Sequence, residues 1–182
     1  KQAAINWFHE RRPLGMSIED DIACLEAVPT FRLLGLNALR MLAIGCESRE
    51  LDEGEILFRA GDLADCGYVV QDGSFRLESA ARKRPANGDH APHAPPATIA
   101  GPGVLLGELA LIINIIRPVT AIAAEPATVM RIPRNLLRKT LEGFPDAAER
   151  MRDHMAARAR NIAEEISQVR GSLNQAPSPR IK

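Results

Sequence analysis

A glycine, a carboxylate and a guanidinium stand close together in Gly107-Glu108-Leu109-Ala110-Leu111-Ile112, followed by Arg117-Pro118-Val119-Thr120. Gly107 has no Cβ, so a ligand can approach the backbone there. Where a helical turn opens at such a glycine, its first N–H groups, those of Leu109 and Ala110 among them, lack helical acceptors and can face an anion. Glu108 does not suit a phosphate, but it can accept hydrogen bonds from sugar hydroxyls. Arg117 returns as a two-pronged donor matched to a phosphate. Carboxylate for ribose, guanidinium and helix start for phosphate: the set suits a sugar phosphate. A plain surface turn closed by a Glu108–Arg117 ion pair uses the same residues, and type and spacing leave both readings open.

The elements around this stretch must hold it in place. Upstream, Ser17 reads as an N-cap with Asp20 three residues on, and Ile18, Ile22 and Leu25 recur at helical spacing. After the turn around Pro29 and Gly35, LNALRMLAIGCES gives a second helical stretch, with Leu36, Leu39, Met41, Leu42 and Ile44 apolar. From Leu51 the texture changes. EILFRAGD, GYVVQDGSFRLES, ATIAGPGVLLGE, VTAIAAE and ATVMRIP are short, rich in Val and Ile, and punctuated by Gly, Asp and Pro. This is the signature of a sandwich or barrel. Between these segments AARKRPANGDHAPHAPPA reads as a polar, Pro-rich loop. From Pro133 helix returns: NLLRKTLEGF ends near Gly143, Pro145 interrupts, and Asp146 is expected to cap a long helix running toward Val169.

The expected organisation is therefore 1–15, an expression remnant or an N-terminal extension ahead of Met16; 16–50, N-terminal helices; 51–132, a β-barrel holding the 103–120 stretch; 133–173, C-terminal helices; and 174–182, a disordered tail. In the last long helix Met155, Ala159, Ile162, Ile166, Val169 and Leu173 are spaced four, three, four, three and four apart. That is a heptad seam, read as a parallel homodimer contact; the alternative is a stripe packed on the protein's own barrel.

Composition narrows the classes. The 182 residues hold 23 Lys plus Arg and 23 Asp plus Glu, a formal net charge of zero, with 46% hydrophobic residues. Such a balance is unlike a dedicated nucleic-acid binder, although it permits a local basic patch. No apolar run reaches the ~18 residues of a membrane span, and no leader for secretion is visible. Cys24, Cys46 and Cys66 show no metal or redox spacing, which points to reduced thiols in the cytoplasm. Of the four histidines, His9, His90, His93 and His154, the close pair His90 and His93 falls in the Pro-rich loop, away from any strand. A metal-dependent enzyme on a similar barrel needs clustered His and Glu, so neither a metal site nor catalytic residues are expected.

The cassette GELALI, the eleven residues from Gly107 to Arg117, LDEGEILFRAGD followed by GYVVQDGSFRLE, and VMRIPRNLLRKTLEGFPDAAERM resemble the cyclic-nucleotide-binding domain family. That family includes catabolite activator protein, the regulatory subunits of cAMP-dependent protein kinase and cyclic-nucleotide-gated channels. The resemblance runs from near Phe31 to about Arg170, with Gly54, Gly61, Asp62 and Gly73 at turn positions. It implies a mainly β fold with flanking helices, a jelly-roll barrel of the cyclic-nucleotide-binding type followed by a long C-terminal helix. By the same resemblance Glu108 would bind the ribose 2′-hydroxyl and Arg117 the cyclic phosphate, with the Leu109 and Ala110 amides completing the cradle. Leu77 and Thr98 would line the purine side, and the long helix would supply a lid and a dimer seam.

Three departures from the family pattern stand out. Pro118 follows Arg117 where many relatives donate an N–H to the phosphate, and proline has none. One missing charge-assisted bond corresponds to ~1.5–3 kcal/mol, one to two decades of affinity. Pro118 also replaces the Thr that favours cGMP in related kinases, so the implied ligand is cAMP rather than cGMP. Ile162 and Ala163 align with residues that offer hydroxyls to adenine in catabolite activator protein, leaving base recognition to stacking, to Arg158 or to Asn161. Ile115 and Ile116 stand where relatives have small or polar residues, and either pack inward or face a partner.

The expected function is a cytoplasmic cyclic-nucleotide sensor with no enzymatic activity and no cofactor beyond its ligand. It would act through ligand-shifted helix and dimer geometry on an unknown effector protein. The 38 residues after Phe144 are too few for a helix-turn-helix pair, so DNA binding is not expected of this chain. The alternative is a degenerate domain that has lost its ligand and serves as a dimerisation or protein-interaction module.

Overall fold

The computed structural model describes residues 17–79, 98–157 and 160. The stretches 1–15 and 174–182, the Pro-rich 80–97 segment, and the heptad positions beyond Met155 lie outside the described residues.

Helix α1 (Ile18–Ala27) starts where the sequence predicts. The Asp20 amide donates to Ser17 Oγ at 3.3 Å and the Ser17 amide donates to the Asp20 carboxylate at 2.8 Å, a reciprocal capping box. Helix α2 (Pro29–Arg32) begins at a proline, whose missing N–H costs nothing in a first turn. Helix α3 (Leu36–Gly45) buries Leu39 and Leu42, whereas Leu36, Met41 and Ile44 face outward.

Among the described residues ten strands follow: β1 (Glu47–Leu51), β2 (Ile56–Phe58), β3 (Leu63–Ala64), β4 (Cys66–Asp72), β5 (Phe75–Ser79), β6 (Thr98–Ala100), β7 (Leu105–Leu106), β8 (Ile115–Ile116), β9 (Val119–Ala123) and β10 (Ala127–Pro133). They form two four-stranded antiparallel sheets, β1-β10-β4-β7 and β2-β9-β5-β6, and a β3–β8 ribbon. Leu51, Val70 and Val129 of the first sheet meet Phe75, Ala121 and Ala123 of the second in a common core. The result is a mainly β jelly-roll with flanking helices. The first strand opens at Glu47, four residues ahead of the expected barrel start, because the polar run ESREL pairs along β10 as an edge strand whose outer side chains stay in water.

Strand β4 is buried from Cys66 to Val70 on both faces. Cys66, Tyr68 and Val70 alternate into the sandwich, while Val69 joins Met130 and Ile132 of β10 beneath the helices. That second core holds Leu25, Phe31, Leu39 and Leu42 from the N-terminal helices and Leu137 from helix α4 (Arg134–Gly143). The last described helix, α5 (145–157), differs from the sequence expectation. Pro145 opens it instead of interrupting, and Asp146 sits within its first turn instead of capping it; the Ala147 and Ala148 amides donate to the Phe144 carbonyl at 3.0 and 3.1 Å. A proline at the first helical position has its φ already set and no donor to lose. Met155, the first residue of the heptad seam, packs against the protein's own helical core.

Candidate functional site

The chain leaves β7 at Leu106 and turns at Gly107, in the left-handed region at φ 77° and ψ 37°, into a 3₁₀ turn over Glu108–Leu111. Ala110 and Leu111 are buried and anchor the turn, while Leu109 points outward. Downstream, the Arg117 amide donates to the Asp62 carbonyl at 2.8 Å and the Gly61 amide donates back to the Arg117 carbonyl at 2.9 Å. Thr120 Oγ1 accepts from the Ala60 amide at 3.0 Å, so the β2–β3 turn clamps both sides of Pro118.

The Arg117 side chain runs into the sandwich and is only 5% exposed. Its Nη2 donates to the Cys66 carbonyl at 2.7 Å and lies 3.5 Å from Cys66 Sγ. The guanidinium carbon sits 4.2 Å from the Phe58 ring centroid and 5.6 Å from that of Tyr68. Nη1 is buried with no hydrogen-bond partner, and it lies 2.1 Å from where a Cβ on Gly107 would be. A buried donor left unpaired costs ~1–3 kcal/mol, and more when it belongs to a charged group. The ring faces offset part of that cost. Burial also pushes the Tyr68 phenol up to about 12, so it stays neutral beside the arginine.

The Glu108–Arg117 ion pair is not how these two side chains are held. The guanidinium bonds to Cys66, whereas Glu108 Oε1 accepts from the Thr30 hydroxyl of α2. The Ala110 amide, expected to face the anion, donates to the Gly107 carbonyl at 3.0 Å and closes the 3₁₀ turn, so a phosphate would share it. Leu77 and Thr98 stand opposite one another in the β5–β6 ladder, with Leu77 against the sandwich core and Thr98 exposed. Pro118 is exposed and Val119 opens β9. Arg158 and Asn161 lie outside the described residues. Ile115 is half-buried, and Ile116 faces out beside Leu63 in the β3–β8 ribbon.

Five participants went unpredicted from sequence. Cys66 and Tyr68 share the inward face of β4 by period-two alternation, a signal present in the sequence. Phe58, on β2, stacks with Tyr68 at 6.0 Å between centroids. Thr30 and Arg134 reach the cassette from helices. Arg134, the first residue of α4, donates to the carbonyls of Ala110 and Ala64 and to Asn114 Oδ1, tying that helix to the turn. Among the described residues no three His, Cys, Asp or Glu side chains gather to hold a metal, and no helix is long and apolar enough to cross a membrane.

Residues 48–143, just over half of the chain, match the family model of the cyclic nucleotide-binding domain. A cyclic nucleotide-binding-like protein from Brucella abortus is similar in structure, with a TM-score of 0.57 and 35% identity across 68% of this chain and 98% of its own. The cAMP-dependent protein kinase regulatory subunit of Yarrowia lipolytica is 28% identical over 111 residues, 61% of this chain and 26% of that subunit. The lysophospholipase nte1 of Aspergillus fumigatus is 26% identical over 117 residues, 63% of this chain and 7% of the enzyme. The chain thus matches about a quarter of the kinase subunit's length and under a tenth of the enzyme's. The matched region takes in the sandwich, the Gly107 turn and the buried Arg117, and the chain belongs to the cyclic nucleotide-binding domain family.

Proposed function

We propose that this domain is a regulatory sensor of a 3′,5′-cyclic nucleotide, with cAMP as its ligand, and performs no chemistry on it. The observation that carries the reading is the buried Arg117 guanidinium, with an unpaired Nη1 directed at the Gly107 turn. A cyclic phosphate there would satisfy Nη1 and meet the amides of Leu109 and Ala110. Glu108 would accept from the ribose 2′-hydroxyl, and the Leu77–Thr98 pair would line the base side. The Yarrowia relative is named for its dependence on cAMP, and the absence of a threonine at Pro118 agrees with that base. Capture of phosphate would move the turn, and Arg134 would carry the movement into α4, shifting the population between helix and dimer geometries. The readout would belong to an effector protein.

A second reading has its own support. Pro118 offers no amide to a phosphate, and Leu63, Ile112, Ile113 and Ile116 form a largely exposed apolar set around the cassette. These features fit a domain that has lost its ligand and serves as a dimerisation or protein-interaction module. Titration calorimetry with cAMP, cGMP and AMP, using Arg117→Ala as control, separates the two. Micromolar binding of cAMP that disappears in the control supports the sensor; no heat with any nucleotide supports the module.

A further inference from the structure

Leu57 and Phe58 are neighbours in β2, yet both pack against the sandwich core. Regular strand geometry sends adjacent side chains to opposite faces. The pairing with β9 shows how that rule is broken. Ile56 stands opposite Ile122 and Phe58 opposite Ala121, so two steps along β2 match one step along β9. A bulge of this kind re-aims a side chain. Here it brings the Phe58 ring face to the Arg117 guanidinium, with 4.2 Å between the guanidinium carbon and the ring centroid. Tyr68 backs that ring, their centroids 6.0 Å apart and their planes inclined by 21°.

We infer that Phe58 is a positioning residue: its ring keeps the Arg117 guanidinium inside the sandwich before the ligand arrives, so that the phosphate meets a charge already in place. The inference rests on the nucleotide reading of the site. The guanidinium is held by the Cys66 carbonyl, the Cys66 thiol and the two ring faces. A carboxylate in their place would grip it too, but would compete with an incoming anion for the same charge. A ring face attracts the cation through its quadrupole and leaves that charge open to a ligand. The effect is one of population. Seated in the sandwich, Arg117 forgoes a hydrogen bond at Nη1, which favours turning the side chain toward water. The ring opposes that escape. If the ring is weakened the seated fraction falls, and the apparent Kd rises by the inverse of that fraction.

The test compares the wild-type chain with Phe58→Leu and with a chain carrying pentafluorophenylalanine at position 58. Leucine removes the ring, whereas the fluorinated ring keeps nearly the same shape and apolar surface but loses the negative face. Calorimetry with cAMP should show a loss of about tenfold for both. In the ligand-free proteins, the ring-current shift of the Arg117 side-chain N–H proton, assigned by its disappearance in Arg117→Met, should be lost in Phe58→Leu. Wild-type affinity in Phe58→Leu would overturn the inference. So would a fluorinated protein that binds as tightly as wild type, which would leave Phe58 a packing role only. If cAMP binds the wild-type chain and Arg117→Ala abolishes that binding, such outcomes strike the Phe58 inference alone. If the wild-type chain binds no cyclic nucleotide, the sensor reading falls and takes the inference with it.

Discussion

A Cβ on Gly107 would lie 2.1 Å from Nη1 of Arg117, so the glycine and the guanidinium fit only because one lacks a side chain. Gly107→Ala meets two penalties at once. The left-handed φ of 77° disfavours any L side chain by roughly 1–2 kcal/mol, and the new methyl displaces the arginine. Melting temperature and cyclic-nucleotide affinity should fall together, by thermal denaturation and calorimetry. An alanine variant with unchanged affinity would mean that the arginine does not need that place.

Arg117→Met separates stability from binding. The native guanidinium is buried, has an Nη1 with no hydrogen-bond partner, and rests on two aromatic rings. Replacing a buried, incompletely paired charge by an apolar side chain of similar length is often neutral or stabilising. The ligand-free variant should melt no lower than the parent. With cAMP at one hundred times Kd, the parent should gain ~2.7 kcal/mol and the variant nothing.

Pro118→Ala tests whether the missing amide limits affinity. An added charge-assisted hydrogen bond to the phosphate should tighten cAMP binding about tenfold or more. Unchanged binding in calorimetry would show that the Leu109 and Ala110 side of the turn already holds the phosphate without help from that position.

Arg134 donates to Ala110, Ala64 and Asn114, and this ties α4 to the cassette. Arg134→Ala should lower stability by about 1–3 kcal/mol through the carbonyls left unpaired. Arg134→Lys, with a single point charge in place of a planar fork, should recover only part of it. Equal melting temperatures for all three proteins would remove Arg134 from the coupling route.

The thiols provide a check that needs no ligand. Burial, followed by the Asp21 charge, raises Cys24 to about 11, and burial, Asp21, Glu47 and the neighbouring Cys24 raise Cys46 further. A thiol reacts as its thiolate. Against an ordinary value of 9.0, a pKa of about 11 cuts the thiolate fraction at pH 8 about a hundredfold. Native protein should therefore react slowly with a disulfide reagent at pH 8. The rate should climb about tenfold per pH unit until the thiol titrates, and denaturation should abolish the protection.

The sequence made the local devices legible. The Ser17–Asp20 box, the Val-rich strands and the glycine opening the cassette each declare themselves within a few residues. Asp146 was misread because a proline inside a helical run normally ends one helix, yet the same ring is welcome at the start of the next. The β1 edge was missed because ESREL carries almost no apolar pattern, and its place is set by pairing with β10. At the site, Gly107, Glu108 and Arg117 were legible by type and spacing. Their true neighbours were not: Arg117 bonds to a main-chain carbonyl, which no side chain at Cys66 advertises, and Thr30 reaches Glu108 only through tertiary packing.

Strand β4 contributes to both cores at once, Val70 to the sandwich and Val69 to the helical layer, and β10 does the same with Val129 and Met130. The helices therefore roof a sheet whose outer face is hydrocarbon. Stripping them away would expose Val69, Met130 and Ile132 as a sticky surface and leave no free-standing sandwich. Amide hydrogens of these two strands should exchange with deuterium only through opening of the whole domain, at one common rate.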